Sequence, residues 1–329
     1  MTLARRQFLR LAAVTTALPM RAHSAFAQAY PSHPVRVVVP VAAGGATDIL
    51  GRLLVQWLTE RMGQPFVVEN RPGAGGNIGT ETVVRAAPDG YTLLLIQAGN
   101  VINTSLYNNL GFNFPRDIVT VTAISRPPFL MSVHPSVPAK TVAEFIAYAN
   151  ANANANAGKV NMASAGVGTG NHVAGELFKM HTGVQMVHVP YRGGGPALID
   201  LVGGQVQVMF GSMPSMIQYV RQGTLRPLAV TTRIRSDVLP DVPTVGETVS
   251  GYEASDFYGL GAPKDTPPGI VARLNEAVNA WLSDPVVKAR LADLGGMVTG
   301  GSTADAGKLV VEETEKWAKV VKFAGAKAE

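Results

Sequence analysis

The residues best placed to do chemistry lie in one turn. Val41-Ala42-Ala43-Gly44-Gly45-Ala46-Thr47-Asp48 separates the apolar run Val37-Val38-Val39-Pro40 from an amphipathic segment that reaches Met62. Strand, glycine turn and helix follow in that order. Gly44 and Gly45 are expected to take positive φ and bring backbone close to a ligand, while the new helix aims unpaired N–H groups at the same spot. Such a place favours an anion. The turn has no Lys and no GxxxxGK[ST] pattern, which argues against a phosphate loop. The same turn also serves as a plain link between strand and helix. Asp48 reads first as a helix-start residue favoured by the dipole and only second as a catalytic acid.

Three further glycine-rich segments adjoin strands: Gly73 to Gly79, Gly166 to Gly170, and Gly193 to Gly195. In sheet proteins, ligands sit outside the carboxyl ends of strands, where such turns gather. Two of the four segments fall in the first part of the chain and two in the middle, which suggests a cleft between domains walled by backbone amides from both sides. His172 and Glu176 share a helix face at metal-pair spacing, but no third ligand is apparent, and an early-helix His bonding across the turn is the preferred reading. His181 and His188 read as surface or strand-end residues. Arg192, beside Gly193-Gly194-Gly195, either pairs with a carboxylate or solvates a loop. Tyr191 is a strand-end Tyr that is also able to pack on a ligand and donate from its hydroxyl. The chain has no GxSxG elbow, no HExxH and no dinucleotide fingerprint, so catalysis lacks a candidate and no cofactor is expected.

The elements that must position these residues alternate between strand and helix. Val35 to Val41 precedes a helix over 47–62, Phe66 to Asn70 precedes one over 77–87, and Thr92 to Ile96 follows. The middle begins with strand Phe129 to Val133 and a helix near Thr141 to Asn150. Strand Val160 to Ala163, helix 171–181, strand Met186 to Val189, helix 195–202, and strands Val206 to Phe210 and Leu228 to Thr231 complete it. Prolines at 240 and 243 break the pattern before an aromatic stretch, Tyr252 to Tyr258. Two helices, each opened by proline at 268 or 285, close the chain. The expected class is α/β, with mixed sheets flanked by helices. The expected domains are 28–128 with 252–329, and 129–251, hinged near 129 and 252. The Asn-Ala alternation from Asn150 to Ala157 reads as a helix end and surface loop.

Residues 1–27 read as a leader: Arg5-Arg6-Gln7-Phe8-Leu9-Arg10, an apolar run to Leu18, then Ala25-Phe26-Ala27. This is a twin-arginine export pattern, with cleavage expected after Ala27. The leader holds four arginines and no acid, so its loss leaves 24 basic against 23 acidic residues from the 28 and 23 of the whole chain. Near-neutral charge without a basic run removes the motive for a nucleic-acid partner. No later apolar stretch has the length of a membrane span, so the exported chain is expected to be soluble. The absence of cysteine excludes disulfides, thiol nucleophiles and thiolate metal sites.

Together the motifs resemble a known family. Val38-Val39-Pro40-x-Ala42-x-Gly44-Gly45-Ala46-Thr47-Asp48, Glu69-Asn70-Arg71-Pro72-Gly73-Ala74-Gly75-Gly76-Asn77-Ile78-Gly79, Ala87-Pro88-Asp89-Gly90-Tyr91-Thr92 and Val189-Pro190-Tyr191-Arg192-Gly193-Gly194-Gly195-Pro196-Ala197 are similar to those of the solute receptors of tripartite tricarboxylate transporters, the Bug receptors. Gly203-Gly204-Gln205-Val206 and Leu239-Pro240-Asp241-Val242-Pro243-Thr244 extend the likeness over essentially the whole exported chain. The resemblance implies a periplasmic, monomeric two-domain flytrap that captures a small carboxylate and passes it to membrane transporter subunits. An exported sensor that signals to a kinase shares every feature, and a secreted hydrolase lacks the residues for its chemistry. By the resemblance, Val41, Ala42, Ala43, Gly44, Gly45, Ala46 and Thr47 hold a carboxylate from the first domain, with Asp48 supporting that loop. Ser164, Gly166, Gly168, Thr169 and His172, with Tyr191, Arg192, Gly193 and Gly194, contribute from the second. The chain departs from the family at Val41, usually Phe; at Ala43, usually Pro; and at Gly211, often acidic.

Overall fold

The computed structural model describes residues 30–154 and 160–324; the expected leader, and the Asn-Ala tract from residue 155 to its end, lie outside them. From His33 onward the chain forms one compact unit holding two five-stranded mixed sheets. The first comprises β1 (Val35–Val39), β2 (Phe66–Asn70), β3 (Thr92–Gln97), β4 (Ile118–Ser125) and β10 (Tyr258–Pro263), in the order β2-β1-β3-β10-β4. The second comprises β5 (Phe129–Val133), β6 (Val160–Ser164), β7 (Met186–Pro190), β8 (Val208–Ser212) and β9 (Arg226–Val230), in the order β7-β6-β8-β5-β9.

The two orders are equivalent. Each sheet sets three parallel strands beside one antiparallel strand, β10 in the first and β5 in the second, which pairs on its far side with a fourth. The chain passes between sheets twice, at 126–128 and again over 231–257. The two passages touch, because Asp256 N–H donates to Pro127 O at 2.9 Å.

Strands β1 and β3 are apolar runs because helices cover both faces of the sheet. All six residues of β3 are buried. Helix α1 (Ala46–Met62) buries Leu50, Leu54 and Leu58 on one stripe. It ends where Gly63, at φ 74°, returns its N–H to Thr59 O. The short α2 (Asn77–Val84), α3 (Ala98–Leu106) and α4 (Phe114–Asp117) complete the first half; α5 (Val142–Asn154), α6 (Gly170–Thr182), α7 (Gly194–Val202) and α8 (Met213–Arg221) belong to the second. After β10 come α9 (Pro268–Ser283), α10 (Pro285–Asp293) and α11 (Thr303–Ala324). Among the described residues no helix is long and apolar enough to cross a membrane.

Several elements differ from the sequence reading. Three helices close the chain, not two. Helix α11 escapes notice because its exposed face is densely charged; its buried face, Ala306, Val310, Glu313, Trp317 and Val321, recurs at three- and four-residue steps. Strands β4 and β10 and helices α3 and α8 were also not anticipated. The strand expected at Val206 to Phe210 starts at Val208 and reaches Ser212, and the helix expected over 77–87 ends at Val84.

Helix α11 touches α3 and β4 of the first half and α6 of the second, so it spans both. Its anchor is Trp317, fully buried, whose Nε1–H donates to Glu313 Oε2 at 2.9 Å; Glu313 in turn receives Arg126. Trp317→Ala should cost about 3–5 kcal/mol of stability, as other buried aromatic truncations do. Urea denaturation of the purified variant checks this.

Candidate functional site

The carboxyl ends of five strands deliver five helix N-termini to one place. Strand β1 leads through the glycine turn into α1, β3 into α3, β6 into α6, β7 into α7 and β8 into α8. A small chamber of about 20 Å³, the room of a single small polar group, is lined by residues from all five starts: Gly45, Ala46 and Thr47; Gln97; Gly170 and Asn171; Gly194; Ser212 and Ser215. No side chain caps α1, α6, α7 or α8. The first N–H groups of α1, α6 and α7 therefore keep hydrogen-bonding capacity, whereas at α8 Met213 N–H already donates to Pro128 O at 3.1 Å and Pro214 has none; the four dipoles add at the chamber. Gln97 is 7% exposed and its Nε2 has no hydrogen-bond partner, while its Oε1 accepts from Thr47 Oγ1 at 3.3 Å. No Lys, Arg or His lines this chamber. Helix dipoles are the positive contribution to it, and one acid, Asp256, also lines it.

The first loop is rigidly braced. Asp48, 3% exposed, accepts from Gly44 N–H at 3.0 Å, Arg52 Nε at 2.9 Å and Asn70 Nδ2 at 3.0 Å. Burial alone would raise this carboxyl, but the bonds from Arg52, Gly44 and Asn70 outweigh it and hold the acid below its usual range. The positive φ expected for both glycines occurs at Gly44 alone, at 85°; Gly45 is extended at φ −83° because it is the residue preceding the first turn of α1. Two N–H groups of the loop are already engaged: Gly44 with Asp48, and Ala42 with Arg192 O at 3.1 Å on the facing half.

That last bond joins backbone of the two halves across the cleft. A Cβ built on Gly195 would stand 2.4 Å from Ala43 O, one on Gly193 2.8 Å from Ala42 N, and one on Gly75 2.2 Å from Val167 O. Backbone meets backbone at these points, and only glycine permits it. Outside them opens a larger cavity of about 920 Å³, lined by Pro40, Val41, Gly73 to Gly76, Tyr107, Ala165, Gly166, Val167, His172, His188, Tyr191 and Arg192. Val41 and Ala165 line both spaces. Arg192 is exposed, and among the described residues its guanidinium has no carboxylate partner. Tyr191 is less free than its sequence position suggests: its hydroxyl donates to Asp200 Oδ2 at 2.6 Å, and burial together with Asp200 pushes it up to about 12.

In the second half, Ser164 Oγ accepts from Gly166 N–H at 3.1 Å, and Thr169 Oγ1 donates to Gly166 O at 2.7 Å. Gly166 and Gly168 take φ of 131° and 78°. His172 Nδ1 accepts from Gly168 N–H at 3.3 Å, the local bond across the turn expected of it. Glu176 lies 3.9 Å from His172 Nε2 but is engaged by Lys179 at 2.9 Å.

His188 corrects the reading from sequence. It is not a plain strand-end residue but lines the cavity, stacked on His172 at 4.1 Å between ring centres with Nε2 2.6 Å from Ser164 Oγ. Sequence reasoning also missed Gln97, Ser212, Ser215, Asp256 and Tyr258. The available signal was an acid within an aromatic run, since Asp256 is flanked by Phe257 and Tyr258. Gly211, where relatives often carry an acid, lies inside β8 beneath Met216; a Cβ there would meet Met216 Sδ at 2.0 Å.

Burial pushes both rings below the usual imidazole value of 6.5, His172 to about 4 with help from Lys179, and His188 to about 3 with help from His172. The unfolded chain thus binds protons below pH 6.5 that the folded chain refuses. Stability is full above that pH and should fall toward pH 4 by up to roughly 1.4 kcal/mol per pH unit for each ring. Denaturant midpoints at pH 7, 6 and 5 check it, and His188→Gln should reduce the slope.

The chain was compared with known proteins on this footing. The family described as "Tripartite tricarboxylate transporter family receptor" matches residues 50–326. BugT of Bordetella pertussis is 35% identical over 306 residues, 92% of each chain. A solved R. palustris protein with adipate is 37% identical, covers 91% of this chain and 99% of its own, and superimposes with a TM-score of 0.87. The Rhodopseudomonas palustris protein MatC with bound malate is 34% identical, covers 89% and 100%, and gives 0.83. The two-domain α/β architecture expected from the sequence is that of these binding proteins, and the members of this family are receptors for solutes, not enzymes. Matched over most of its length in sequence and in fold, this chain belongs to the tripartite tricarboxylate transporter receptor family.

Proposed function

We propose that this receptor captures a small organic carboxylate in the cleft and delivers it, by closure, to the membrane subunits of a tripartite tricarboxylate-type transporter. The observation that carries the ligand class is the set of four helix starts, α1 from one half and α6, α7 and α8 from the facing half, that lack side-chain caps and surround one chamber. A carboxylate supplies the missing acceptors, and charge-assisted bonds are roughly twice as strong as neutral ones. The solved neighbours with adipate and malate support the same class.

In this reading one carboxyl group enters the inner chamber, held by Gly45, Ala46 and Thr47 from one side and by Gly170, Asn171 and Gly194 from the other. The carbon body lies in the outer cavity among Val41, Val167, His172, His188 and Tyr191, with Arg192 placed for a distal anionic group. Ala42, Gly193 and Gly75 act as closure contacts, not as ligand donors. Residues 28–128 with 252–329 move as one lobe against 129–251. The twin-arginine leader delivers the folded monomer to the periplasm and is removed after Ala27.

Closure requires that the ligand bind the closed form better than the open one. Gly195→Ala tests this: the residue lies in the first turn of α7, where Ala is tolerated, yet its Cβ meets Ala43 O across the cleft. Titration calorimetry with adipate and malate should show one site in the wild type. Gly195→Ala should lose at least tenfold in affinity while unfolding at the same ligand-free temperature. Equal affinity in the variant would refute closure at this contact, and absence of binding by any small carboxylate would refute the ligand class.

A further inference from the structure

The inner chamber contains an acid that the capture of an anion does not call for. Asp256 is 7% exposed, lines the chamber, and lies where the two passages between the sheets meet. Its carboxyl accepts from Phe257 N–H at 2.9 Å and from the Tyr258 hydroxyl, and it also receives the Ser212 hydroxyl and Ala98 N–H. Asp256 therefore sits in the same field of helix starts that awaits a ligand carboxylate, touching α3 through Ala98 and the start of α8 through Ser212.

The groups facing it offer no counter-charge. From β10 comes Tyr258, itself pushed well above the usual phenol range by burial and by Asp256. From α1 comes Thr47, while the neighbouring Asp48 is turned to Arg52 and Asn70. From the end of β3 comes Gln97, from α8 Ser215 and from α6 Asn171, all neutral. On the first passage, Arg126 is committed to Glu313. A ligand carboxylate in this chamber would place a second anion beside Asp256 with no cation between them.

Resting on the carboxylate-receptor reading, we propose that Asp256 is neutral whenever an anionic ligand is held, so that capture takes up one proton and the receptor binds carboxylates more tightly as pH falls. The proton comes from solvent and resides on the Asp256 carboxyl; no bond in the ligand changes. Burial already lifts this acid to about 6 in the free protein, so little work separates it from the neutral form at neutral pH. A nearby anion moves it further in the same direction. In the window above about 6, affinity declines with rising pH; below it, Asp256 is neutral before and after binding and the dependence fades.

The test is titration calorimetry of the full exported protein with adipate at pH 6.5, 7.5 and 8.5, each in two buffers of different protonation enthalpy. The expected result is uptake of up to one proton and a loss of affinity approaching tenfold per pH unit. Asp256→Asn, which fixes the neutral shape, should bind with no such slope. A flat wild-type profile, a net release of protons, or a slope retained in Asp256→Asn overturns the proposal. A second measurement needs neither ligand nor variant: the ¹³C carboxyl resonance of Asp256 in the free protein should titrate near pH 6. A midpoint in the ordinary Asp range overturns the proposal even if adipate does not bind, whereas failure of adipate and other small carboxylates to bind, with a midpoint near 6, counts against the receptor reading and leaves the proton site standing.

Discussion

The structure depends on a set of helix starts that are left electrically incomplete. Each N-terminus carries about half a positive charge, and most proteins cover it with a Ser, Thr, Asp or Asn side chain. Here Gly45, Thr169, Gly193 and Ser212 precede α1, α6, α7 and α8 without capping them. Thr169 and Ser212 have hydroxyls suited to the task but spend them elsewhere, on Gly166 O and on the Asp256–Tyr258 pair. A lost cap costs roughly 0.5–2 kcal/mol of stability, less where glycine stands at the cap, as at Gly45 and Gly193. Four dipoles around one chamber, three of them with leading N–H groups unspent, amount to a standing demand for an anion.

Topology is what brings them together. Parallel strands send every following helix start to the same edge of the sheet, and two sheets of equivalent order set those edges face to face. Because each sheet borrows its antiparallel strand across the passage between halves, the halves are joined by two adjacent chain segments at the floor of the cleft. Asp256 lies on one of those segments and bonds to elements of both halves, so the charge state of the floor and the geometry of the cleft are parts of one network. At the rim, glycines at 75, 193 and 195 let backbone of one half approach backbone of the other, which narrows the way into the chamber.

Much of this was legible in the sequence because local chemistry and tertiary role agree. Gly44 takes the positive φ its turn predicts, and Asp48, read from its position as a helix-start acid and by the resemblance as support for the first loop, accepts from Gly44 N–H. The missed elements are those in which the two disagree. Strand β10 has glycines at 259 and 261 that weaken a strand signal, but a Cβ at either would come within 3 Å of Thr122 O or Ile118. Helix α11 hides a buried face beneath a charged one. The acid at 256 and the amide at 97 carry no motif; their importance comes from burial and convergence, which spacing along the chain does not encode. His188 was underrated for the same reason, since its partners Ser164 and His172 are distant in sequence and meet it only across neighbouring elements.

The central claim is that an anionic ligand is held by backbone at the uncapped helix starts. The most direct measurement follows the ¹H–¹⁵N resonances of Gly45, Ala46, Thr47, Gly170, Asn171 and Gly194 while a carboxylate that binds stoichiometrically is titrated into stripped protein. The account predicts that these amides, drawn from both halves, shift together and saturate at one equivalent, with slowed hydrogen exchange. A carboxylate that saturates the protein while leaving these amides in place would contradict it.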